Sequence, residues 1–444
     1  MNILNAQSTD LSAALSALSA KLGSGAGMVS QAGMEKTVAV FGKPLTPAEV
    51  VRTLIAAVRE RGDDAIAEYL LKLDGARLTP EQFRLSPDAL RDAWDQTPEP
   101  VRSALQRARE NIRRFQEHIR PQLPSTQRNA EGGFVGITHR PLNRVGLYIP
   151  AGLASTVLMT AVPASVAGVR EIALATPCNR EGMPSREVLA AAHVAGVTEV
   201  YRIGGALAIA AFACGTSAVP RVEKICGPGN TFVTIAKKEL YGEVDLDMLA
   251  GPSEVLVIAD AKAEPRFIAA DMLSQAEHNP AAAVLLTPEE KIARRTLEAL
   301  EAQLPRLSRA QAARDCLERY GFIGVTRDLD HAVELANQFA PEHLELAVAK
   351  PDVLLPRIRT AGAVFMGQFT PEPVGDYVAG PSHVLPTGGT ARFFSGLGVY
   401  HFMRTMSVIH YDRDALRKTA ADVDVLARAE GLDAHARSAT IRFE

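Results

Sequence analysis

Short apolar runs alternate with segments of helical periodicity from about Arg140 onward. Runs such as Val145–Ile149 and Glu254–Ala259 are almost continuously apolar, whereas the segments between such runs space their apolar residues at helical intervals. Strands that alternate with helices of about ten residues are typical of parallel β-α-β units. Two such series follow each other along the chain, so the pattern predicts an α/β fold with two Rossmann-like parallel sheets.

The bounds of these elements can be estimated from the same pattern. The first series is predicted as strands 145–149, 172–175, 199–203 and 224–226, with helices 156–167, 186–195, 206–213 and 232–240. The second is predicted as strands 254–259, 283–286, 322–325 and 363–365, with helices ending near 278, at 304 and at 339. After Pro386 we expect a loop, a strand near 406–410 and a helix over 413–430, forming a small C-terminal unit.

The N-terminal part has a different, mainly helical pattern. Residues 11–18 indicate a short amphipathic helix before a Gly/Ser-rich break at Gly23–Gly27. Thr46-Pro-Ala-Glu49 is a capping box with proline at the first helical position, and the helix is predicted to end at Gly62. A second helix over Glu99–Arg120 carries several arginines with interleaved glutamates. We interpret these arginines as a solvated face in preference to a phosphate or partner site.

Composition and charge exclude several classes of function. The 444 residues are 47% hydrophobic and 22% charged, and the net charge is −3, so nothing favours nucleic acid as a partner. The chain lacks both a signal-peptide pattern and the roughly eighteen consecutive apolar residues that span a bilayer. The four cysteines form no C-x-x-C pair, which favours buried thiols in a reducing compartment. We expect a soluble, cytoplasmic protein without a membrane partner.

The stretch Asp271–Asn279 contains the first candidate metal ligands. Gln275 and His278 are three residues apart, so on a helix they share one face. An amide oxygen and an imidazole nitrogen are half of a possible metal site. The same spacing also occurs on ordinary helix surfaces, and the pair alone does not decide between the two.

Pro341-Glu342-His343 is the candidate acid–base pair. Proline suits the first turn of a helix, where the helix dipole disfavours an imidazolium. A neutral histidine there is a competent base near pH 7, and the adjacent glutamate could activate water. The alternative is an N-terminal carboxylate that stabilises the helix beside a partly exposed histidine.

Two irregular segments hold further polar candidates. The loop 375–386 is rich in turn residues and contains Asp376 and His383, as expected of a binding loop. Gly431 is predicted to stop the last long helix, which leaves Glu430 and His435 on an irregular tail. With the ligand pair above, Asp376 and His435 would complete a set of oxygen and nitrogen donors suited to Zn²⁺ or a similar ion.

The segment Gly227-Pro-Gly-Asn230 lies between a predicted strand and a predicted helix. Backbone N–H groups in such a turn can face a phosphate, as they do in dinucleotide-binding folds. The full G-x-G-x-x-G pattern is missing, and a simple tight turn explains the segment equally well.

Taken together, these strings resemble the histidinol dehydrogenase family. The matching strings occur in the family's order from about residue 140 to the C-terminus, and the helical N-terminal part matches loosely. They are Gly227-Pro-Gly-Asn-Thr-Phe-Val-Thr, Ala250-Gly-Pro-Ser-Glu-Val-Leu-Val-Ile-Ala-Asp260, Asp271-Met-Leu-Ser-Gln-Ala-Glu-His278, Ala340-Pro-Glu-His-Leu-Glu-Leu346, the stretch 375–389, and Glu430-Gly-Leu-Asp-Ala-His435.

The resemblance implies an enzyme that oxidises L-histidinol through the aldehyde to L-histidine, the last step of histidine biosynthesis, with two NAD⁺ and one zinc ion per subunit. It implies His343 as the general base and Glu342 as the activator of water. The implied zinc ligands are Gln275, His278 and Asp376, with His435 from the other subunit of an intertwined homodimer. The implied substrate contacts are Ser253, Gln275, His278, His343, Asp376, His383, Glu430 and His435. The implied nucleotide contacts are at Tyr148, Leu207 and Asn230.

The family organisation also suggests domain boundaries. We expect an N-terminal helical segment (1–35), and a Rossmann-like domain made of 36–135 together with 251–385 that carries the zinc and acid–base residues. A nucleotide-binding Rossmann-like domain would occupy 136–250. A small C-terminal domain (386–444) would contribute to the partner's site.

Two departures from the family pattern fall on the nucleotide side. The chain has Leu207 where the family has glutamine in Gly-Gly-Ala-Gln, and the loop after Ile149 is shorter than the family's usual version. Both predict altered affinity or geometry for NAD⁺, whereas every implied metal and acid–base residue is present. The alternatives are a family member that oxidises another polar alcohol, such as a sulfonated one, a zinc hydrolase, and a binding protein that has lost NAD use.

Overall fold

The computed structural model describes residues 3–26, 31–121, 125–278 and 280–444. Asn279 and Gly27, which end two of the predicted segments, lie outside the described residues. The first part of the chain forms one strand and six helices: β1 (Ile3–Asn5), α1 (Leu11–Ala26), α2 (Gln31–Phe41), α3 (Pro47–Arg61), α4 (Asp63–Asp74), α5 (Pro87–Asp95) and α6 (Glu99–Ile119).

The middle of the chain forms two series of alternating strands and helices. The first is β2 (Ser125–Arg128), β3 (Phe134–Pro141), β4 (Arg144–Tyr148), α7 (Ala154–Ala167), β5 (Glu171–Ala175), α8 (Arg186–Ala195), β6 (Glu199–Tyr201), α9 (Gly205–Cys214), β7 (Lys224–Cys226), α10 (Thr231–Leu240) and β8 (Asp245–Leu246). The second is β9 (Ser253–Ala259), α11 (Pro265–Ala276), β10 (Ala281–Thr287), α12 (Glu290–Gln303), α13 (Ala310–Tyr320), β11 (Gly321–Val325), α14 (Leu329–Phe339), β12 (His343–Ala347), α15 (Pro351–Leu354), β13 (Ala363–Met366) and α16 (Glu372–Tyr377). The chain ends with β14 (Met403–His410), α17 (Arg413–Ala429) and α18 (Asp433–Thr440).

Two parallel sheets form the framework of the molecule. One has six strands in the order β1-β11-β10-β9-β12-β13, and the other has five in the order β6-β5-β4-β7-β8. All their described pairings are parallel. The predicted α/β class with two parallel sheets is therefore confirmed.

The five-stranded sheet is buried on both faces. Val145 and Leu147 of β4 belong to a core shared with α5 to α8, whereas Tyr148 belongs to a core shared with α3, α4, α9 and α10. Since successive strand residues point to opposite faces, helices on both sides explain why this strand is almost continuously apolar.

A small antiparallel sheet connects the C-terminal unit to the rest of the chain. β14 pairs with β3 from Met403↔Pro141 to His410↔Phe134, and β2 pairs with the other edge of β3. Only the strand near 406–410 was predicted, because the segments 125–128 and 134–141 lack a clear apolar alternation. Beyond this sheet, α17 and α18 pack on each other.

Most predicted elements of the two parallel series are confirmed to within a few residues. The bounds of α8 and α14 match the predicted 186–195 and the predicted end at 339. The capping box at the start of α3 is present, with Thr46 and Glu49 exchanging their reciprocal hydrogen bonds, and Gly62 ends the helix.

Several local predictions are wrong. Glu342 and His343 do not begin a helix, because β12 starts at His343 and is buried between β9 and β13. His278 lies in a turn after α11, which ends at Ala276 so that the chain can enter β10. His435 lies in α18 and not on an irregular tail. The predicted break at Gly23 is absent as well, since α1 continues to Ala26.

The N-terminal helices pack differently from the predicted grouping. Helices α3 to α6 share cores with the five-stranded sheet, although residues 36–135 were expected to join 251–385. Helix α1 packs on the six-stranded sheet, to which β1 adds an edge strand. Helical periodicity identifies an apolar face but not the surface that covers it. The domain boundaries themselves stay a prediction.

The structure was also searched for membrane-spanning helices. Within the described ranges, no helix combines the length and the apolarity needed to cross a bilayer.

Candidate active site

A cavity of about 210 Å³ lies where the two parallel sheets meet. Its walls come from the amino ends of β9 and β12 on one side and from the loops after β4, β7 and β8 on the other. Six of the residues singled out in the sequence line this cavity together, namely Ser253, His278, Glu342, His343, Asp376 and His383.

His343 is buried at the first position of β12, with 3% of its surface exposed. Its Nδ1 lies 3.2 Å from the carbonyl oxygen of Glu254. A carbonyl can only accept a hydrogen bond, so Nδ1 carries the ring proton and Nε2 is the free acceptor. Nε2 has no hydrogen-bond partner among the described residues. Burial lowers the pKa of His343 to about 3, so the imidazole is neutral at pH 7.

Glu342 is buried beside this imidazole. One of its carboxylate oxygens accepts hydrogen bonds from the Ser253 hydroxyl and, at 3.2 Å, from the Glu254 N–H. Burial raises the pKa of Glu342 well above its usual value, and the hydrogen bond from Ser253 opposes that rise. A carboxylate with a raised pKa is a stronger base than an exposed one, which suits proton abstraction from water.

His383 is held between two elements of the cavity wall. Its Nδ1 donates to the carbonyl oxygen of Asp376 at 2.9 Å, and its Nε2 accepts from the Thr156 hydroxyl at 3.0 Å. Burial lowers the pKa of His383 to about 4, so this ring is also neutral at pH 7. Residues 375–377, which were predicted as part of a loop, belong to α16, and the bond to Asp376 ties the segment after this helix to its last turn.

Gln275 is fully buried on α11, and neither its amide oxygen nor its amide nitrogen has a partner among the described residues. A buried amide without hydrogen bonds costs about 1–3 kcal/mol per unsatisfied group. Such a residue normally has a partner, and a ligand or ion would provide one. His278, three residues further on, lines the cavity.

Buried acidic groups surround Asp376. Burial and the neighbouring carboxylates raise the pKa of Glu372 to about 9, and burial raises that of Asp376 to about 6. One ligand atom each of His343, Glu372 and Asp376 lies within 4.8 Å of the others. A divalent cation would offset this clustering of buried carboxylates. These donors therefore fit a metal ion that takes oxygen and nitrogen ligands. Gln275 is not among the described residues that line the cavity.

Two residues of this site were not predicted from the sequence. Glu372 lies one helical turn before Asp376 on α16, and Glu254 is a buried acid in the otherwise apolar strand β9. A charged residue inside a continuously apolar run was the available signal for Glu254. The i, i+4 spacing of two acids was the signal for Glu372.

A second cavity, of about 330 Å³, is lined by all three predicted nucleotide-contact residues, Tyr148, Leu207 and Asn230. The Tyr148 hydroxyl accepts a hydrogen bond from the Gly205 N–H at 3.1 Å. The Asn230 side chain caps α10 by accepting from the N–H groups of two residues of its first turn, as expected of a tight turn between strand and helix. A phosphate contact at this turn stays a prediction. Leu207 contributes an apolar side chain to this cavity.

Glu430 and His435 are exposed on the C-terminal unit. Neither is among the described residues that line the 210 Å³ cavity. The fold of one chain therefore does not bring them to the other predicted site residues.

The sequence and the structure were compared with known proteins. The family model described as histidinol dehydrogenase matches residues 45–443. Histidinol dehydrogenase from Moorella thermoacetica is 50% identical over 398 residues, covering 89% of this chain and 94% of that protein. The protein of the same name from Rhodopirellula baltica is 45% identical over 449 residues, covering 98% of this chain and 95% of its own. The crystal structure of histidinol dehydrogenase from Elizabethkingia anophelis superposes with a TM-score of 0.87 at 35% identity, covering 92% of this chain and 95% of that one.

Proposed function

Because this chain belongs to the histidinol dehydrogenase family, we propose that its substrate cavity oxidises L-histidinol to L-histidine in two steps. The chain is an NAD-dependent oxidoreductase of the alcohol and aldehyde type. Each step removes one hydride, so two molecules of NADH form per histidinol. The role of His343 as a base is inferred from one observation. Its Nδ1 faces the Glu254 carbonyl, which leaves Nε2 as an acceptor without a partner among the described residues, in a buried residue of the cavity wall.

In the first oxidation, His343 acts as the general base. Its Nε2 accepts the proton of the substrate hydroxyl while a hydride leaves the same carbon. The Glu254 carbonyl stabilises the imidazolium that forms, because the Nδ1–H remains hydrogen-bonded to it. The product of this step is the aldehyde, and the cavity walls limit its escape into water.

In the second oxidation, Glu342 takes a proton from water as the oxygen adds to the aldehyde carbon. The imidazolium of His343 returns its proton to the former carbonyl oxygen, so a neutral hydrate and a neutral imidazole result. His343 can then take a proton from one hydroxyl of the hydrate while the second hydride leaves to a second NAD⁺. Ser253 orients the Glu342 carboxylate through its hydroxyl, and we propose that it also contacts the substrate together with His383.

We propose that Gln275, His278 and Asp376 hold one zinc ion per subunit, with His435 from a second copy of the chain as the fourth ligand. Bound there, zinc would supply the positive charge that orients the imidazole and amine of histidinol. The buried, unpartnered amide of Gln275 supports this set. A competing set is His343, Glu372 and Asp376, but a histidine bound to metal through Nε2 could not serve as the base.

The nucleotide would occupy the second cavity, against Tyr148, Leu207 and Asn230. This cavity lies at the carboxyl end of the five-stranded sheet, where dinucleotides bind in doubly wound folds. Residues 136–250 would then serve as the nucleotide-binding unit, and the segment after 251 as the unit that carries the metal and acid–base residues.

We propose that the active form is a homodimer in which each C-terminal unit completes the other subunit's site. Glu430 would contact the substrate there and His435 the metal. The exposure of both residues in a single chain supports this arrangement. Large apolar side chains on the same unit are exposed too, including Ile409, Val425 and Leu426 at 71%, 65% and 64%.

The experiment that tests this function is a complete turnover of L-histidinol by purified, zinc-loaded protein. We expect two NADH per histidinol, with loss of the activity after chelation and recovery on adding zinc. One NADH per substrate would contradict the second oxidation. Turnover of another polar alcohol in place of histidinol would contradict the substrate.

A further inference from the structure

The loop that separates the two cavities is held by a buried ion pair. Gly227, Pro228 and Gly229 line the substrate cavity, and Asn230, the next residue, lines the nucleotide cavity. Lys237 of α10 lies behind this loop, and Asp247, which follows β8, lies beside the loop in the wall of the substrate cavity. Their side chains are 3% and 0% exposed.

The pair holds both polar groups of one residue of the loop. The Lys237 amino group donates to the Gly227 carbonyl and to the Asp247 carboxylate, both at 2.6 Å. The other carboxylate oxygen of Asp247 accepts from the Gly227 N–H at 2.6 Å. The first oxygen also accepts from the Met248 N–H at 2.7 Å. The N–H and C=O of Gly227 are therefore tied to one ion pair.

Gly227 lies so close to the neighbouring strand that only glycine fits at this position. Its φ is +116°, a conformation that L side chains rarely adopt, and a Cβ atom would lie 2.0 Å from the Tyr148 carbonyl oxygen. Tyr148 ends β4 and lines the nucleotide cavity. The Gly227 peptide thus packs closely against the backbone of one cavity wall while forming part of the other.

Stability alone does not explain this ion pair. Burying two charges costs several kcal/mol each, and apolar residues of similar volume often serve a core equally well or better. An ion pair can hold a backbone group in one place, because hydrogen bonds to charged groups are strong and directional. Apolar contacts have no such direction.

We propose that Lys237 and Asp247 are positioning residues. They hold the Gly227 peptide, which forms part of the wall between the cavities, so that substrate and nucleotide lie at the distance that hydride transfer requires. The inference rests on the proposed placement of substrate and nucleotide in these two cavities. Lys237 is not among the described residues that line either cavity, and the two carboxylate oxygens of Asp247 are occupied by hydrogen bonds from Lys237, Gly227 and Met248. Both residues therefore act through Gly227.

Two substitutions separate this role from a purely structural one. Asp247→Asn keeps the volume but places an amide nitrogen opposite either the Gly227 N–H or the lysine. The double variant Lys237→Met, Asp247→Leu removes both charges and leaves an apolar pair. Lys238→Met is the matched control, since Lys238 is the adjacent lysine of α10 and is exposed.

For Asp247→Asn and the double variant we expect kcat to fall by about ten- to hundredfold, as is typical of small misplacements of reacting groups. The primary deuterium isotope effect on kcat, measured with histidinol deuterated at the carbinol carbon, should increase because hydride transfer becomes slower than product release. Thermal stability should recover in the double variant while kcat does not. The control should match the wild type in all three measurements.

A purely structural role predicts a different outcome. A double variant with wild-type stability, kcat and isotope effect would overturn the inference, and so would Asp247→Asn protein with a native near-UV spectrum and wild-type kcat. If the wild-type enzyme itself forms no NADH from histidinol, the proposed function fails instead.

Discussion

At the scale of single residues, the neighbours of His343 determine its tautomer and its charge. The Glu254 carbonyl holds the proton on Nδ1, and burial beside the Phe365 ring keeps the imidazole neutral. Neutrality was predicted from a helix dipole, and that reason is wrong because the residue opens a strand. Desolvation in a packed site has the same effect on the charge.

Glu342→Gln should separate the two oxidations. The amide cannot take a proton from water, so we expect the conversion of aldehyde to acid to slow by about 10²–10⁴-fold, with a much smaller effect on alcohol oxidation. Single-turnover assays started from the alcohol and from the aldehyde would measure the two rates. Glu334→Gln, at an exposed position of α14, is the control. Equal losses in both halves would contradict the role of Glu342.

The buried carboxyl groups predict how pH affects the metal-free protein. The pKa of Glu372 is raised from 4.5 to about 9, so the folded state binds more protons than the unfolded state between these values. Stability should therefore fall as pH rises from about 7 to 9. His343 and His383 do not contribute in this window, because their lowered pKa values change the protonation balance only below pH 6.5.

Thermal melts of chelator-treated protein at pH 7, 8 and 9 would test this expectation. Zinc should reduce the slope, because a bound cation favours the ionised carboxylates. Glu372→Gln should reduce the slope without zinc but not abolish it, because burial also raises the pKa values of Glu342 and Glu345. A melting temperature that rises with pH in the metal-free protein would contradict the assigned shift.

At the scale of elements, the two cavities use opposite ends of their sheets. The nucleotide cavity lies at the carboxyl end of the five-stranded sheet, at Tyr148 and after β7. The acid–base residues lie at the amino end of the six-stranded sheet, where β9 begins at Ser253 and β12 at His343. Ligands usually bind at carboxyl ends, so the six-stranded sheet departs from that rule. Its amino end contributes to the site because it faces the carboxyl end of the five-stranded sheet across the cavity.

A substitution of Leu207 in α9 would test how the second cavity contacts the nucleotide. Leu207→Gln would add a hydrogen-bonding amide to the second cavity, and we expect the Kd for NAD⁺ to fall about three- to tenfold, the value of one additional hydrogen bond. Isothermal titration would measure it. Leu207→Met controls for the change in shape. An unchanged Kd would mean that other groups of the cavity already compensate for the leucine.

At the scale of the whole molecule, the proposed dimer concerns the C-terminal unit. It is attached through the antiparallel sheet, and α17 and α18 pack mainly on each other. Its exposed apolar residues and the exposed Glu430 and His435 are explained together if a second copy covers them. The residues of one site would then come from two chains.

Mixing two inactive variants should restore activity if sites are shared. His343→Ala and His435→Ala should each be nearly inactive as homodimers. After unfolding and refolding together, half of the dimers are mixed and each has one intact site, so we expect about a quarter of the wild-type rate. His118→Ala, on an exposed face of α6, is the control variant. No recovery despite mixed dimers would place both residues in one chain's site.

Local patterns in the sequence were sufficient for most strands and helices of the two parallel series. Buried strands and capped helices depend on the spacing of apolar residues and on caps such as Thr46 and Glu49, which lie close together in the chain. The resemblance also singled out six residues that line one cavity, since long strings in a fixed order carry more information than spacing.

Only the tertiary structure decided the environment of those residues. Whether Pro341-Glu342-His343 begins a helix or a strand depends on pairing with β9 and β13, which come from distant parts of the chain. The packing of α3 to α6, the part played by Glu254 and Glu372, and the ion pair behind Gly227 depend likewise on which surfaces meet. Burial and hydrogen-bond partners are properties of the folded chain. The sequence therefore singled out six residues that line one cavity, and the fold determined their burial, their hydrogen-bond partners and their mutual position.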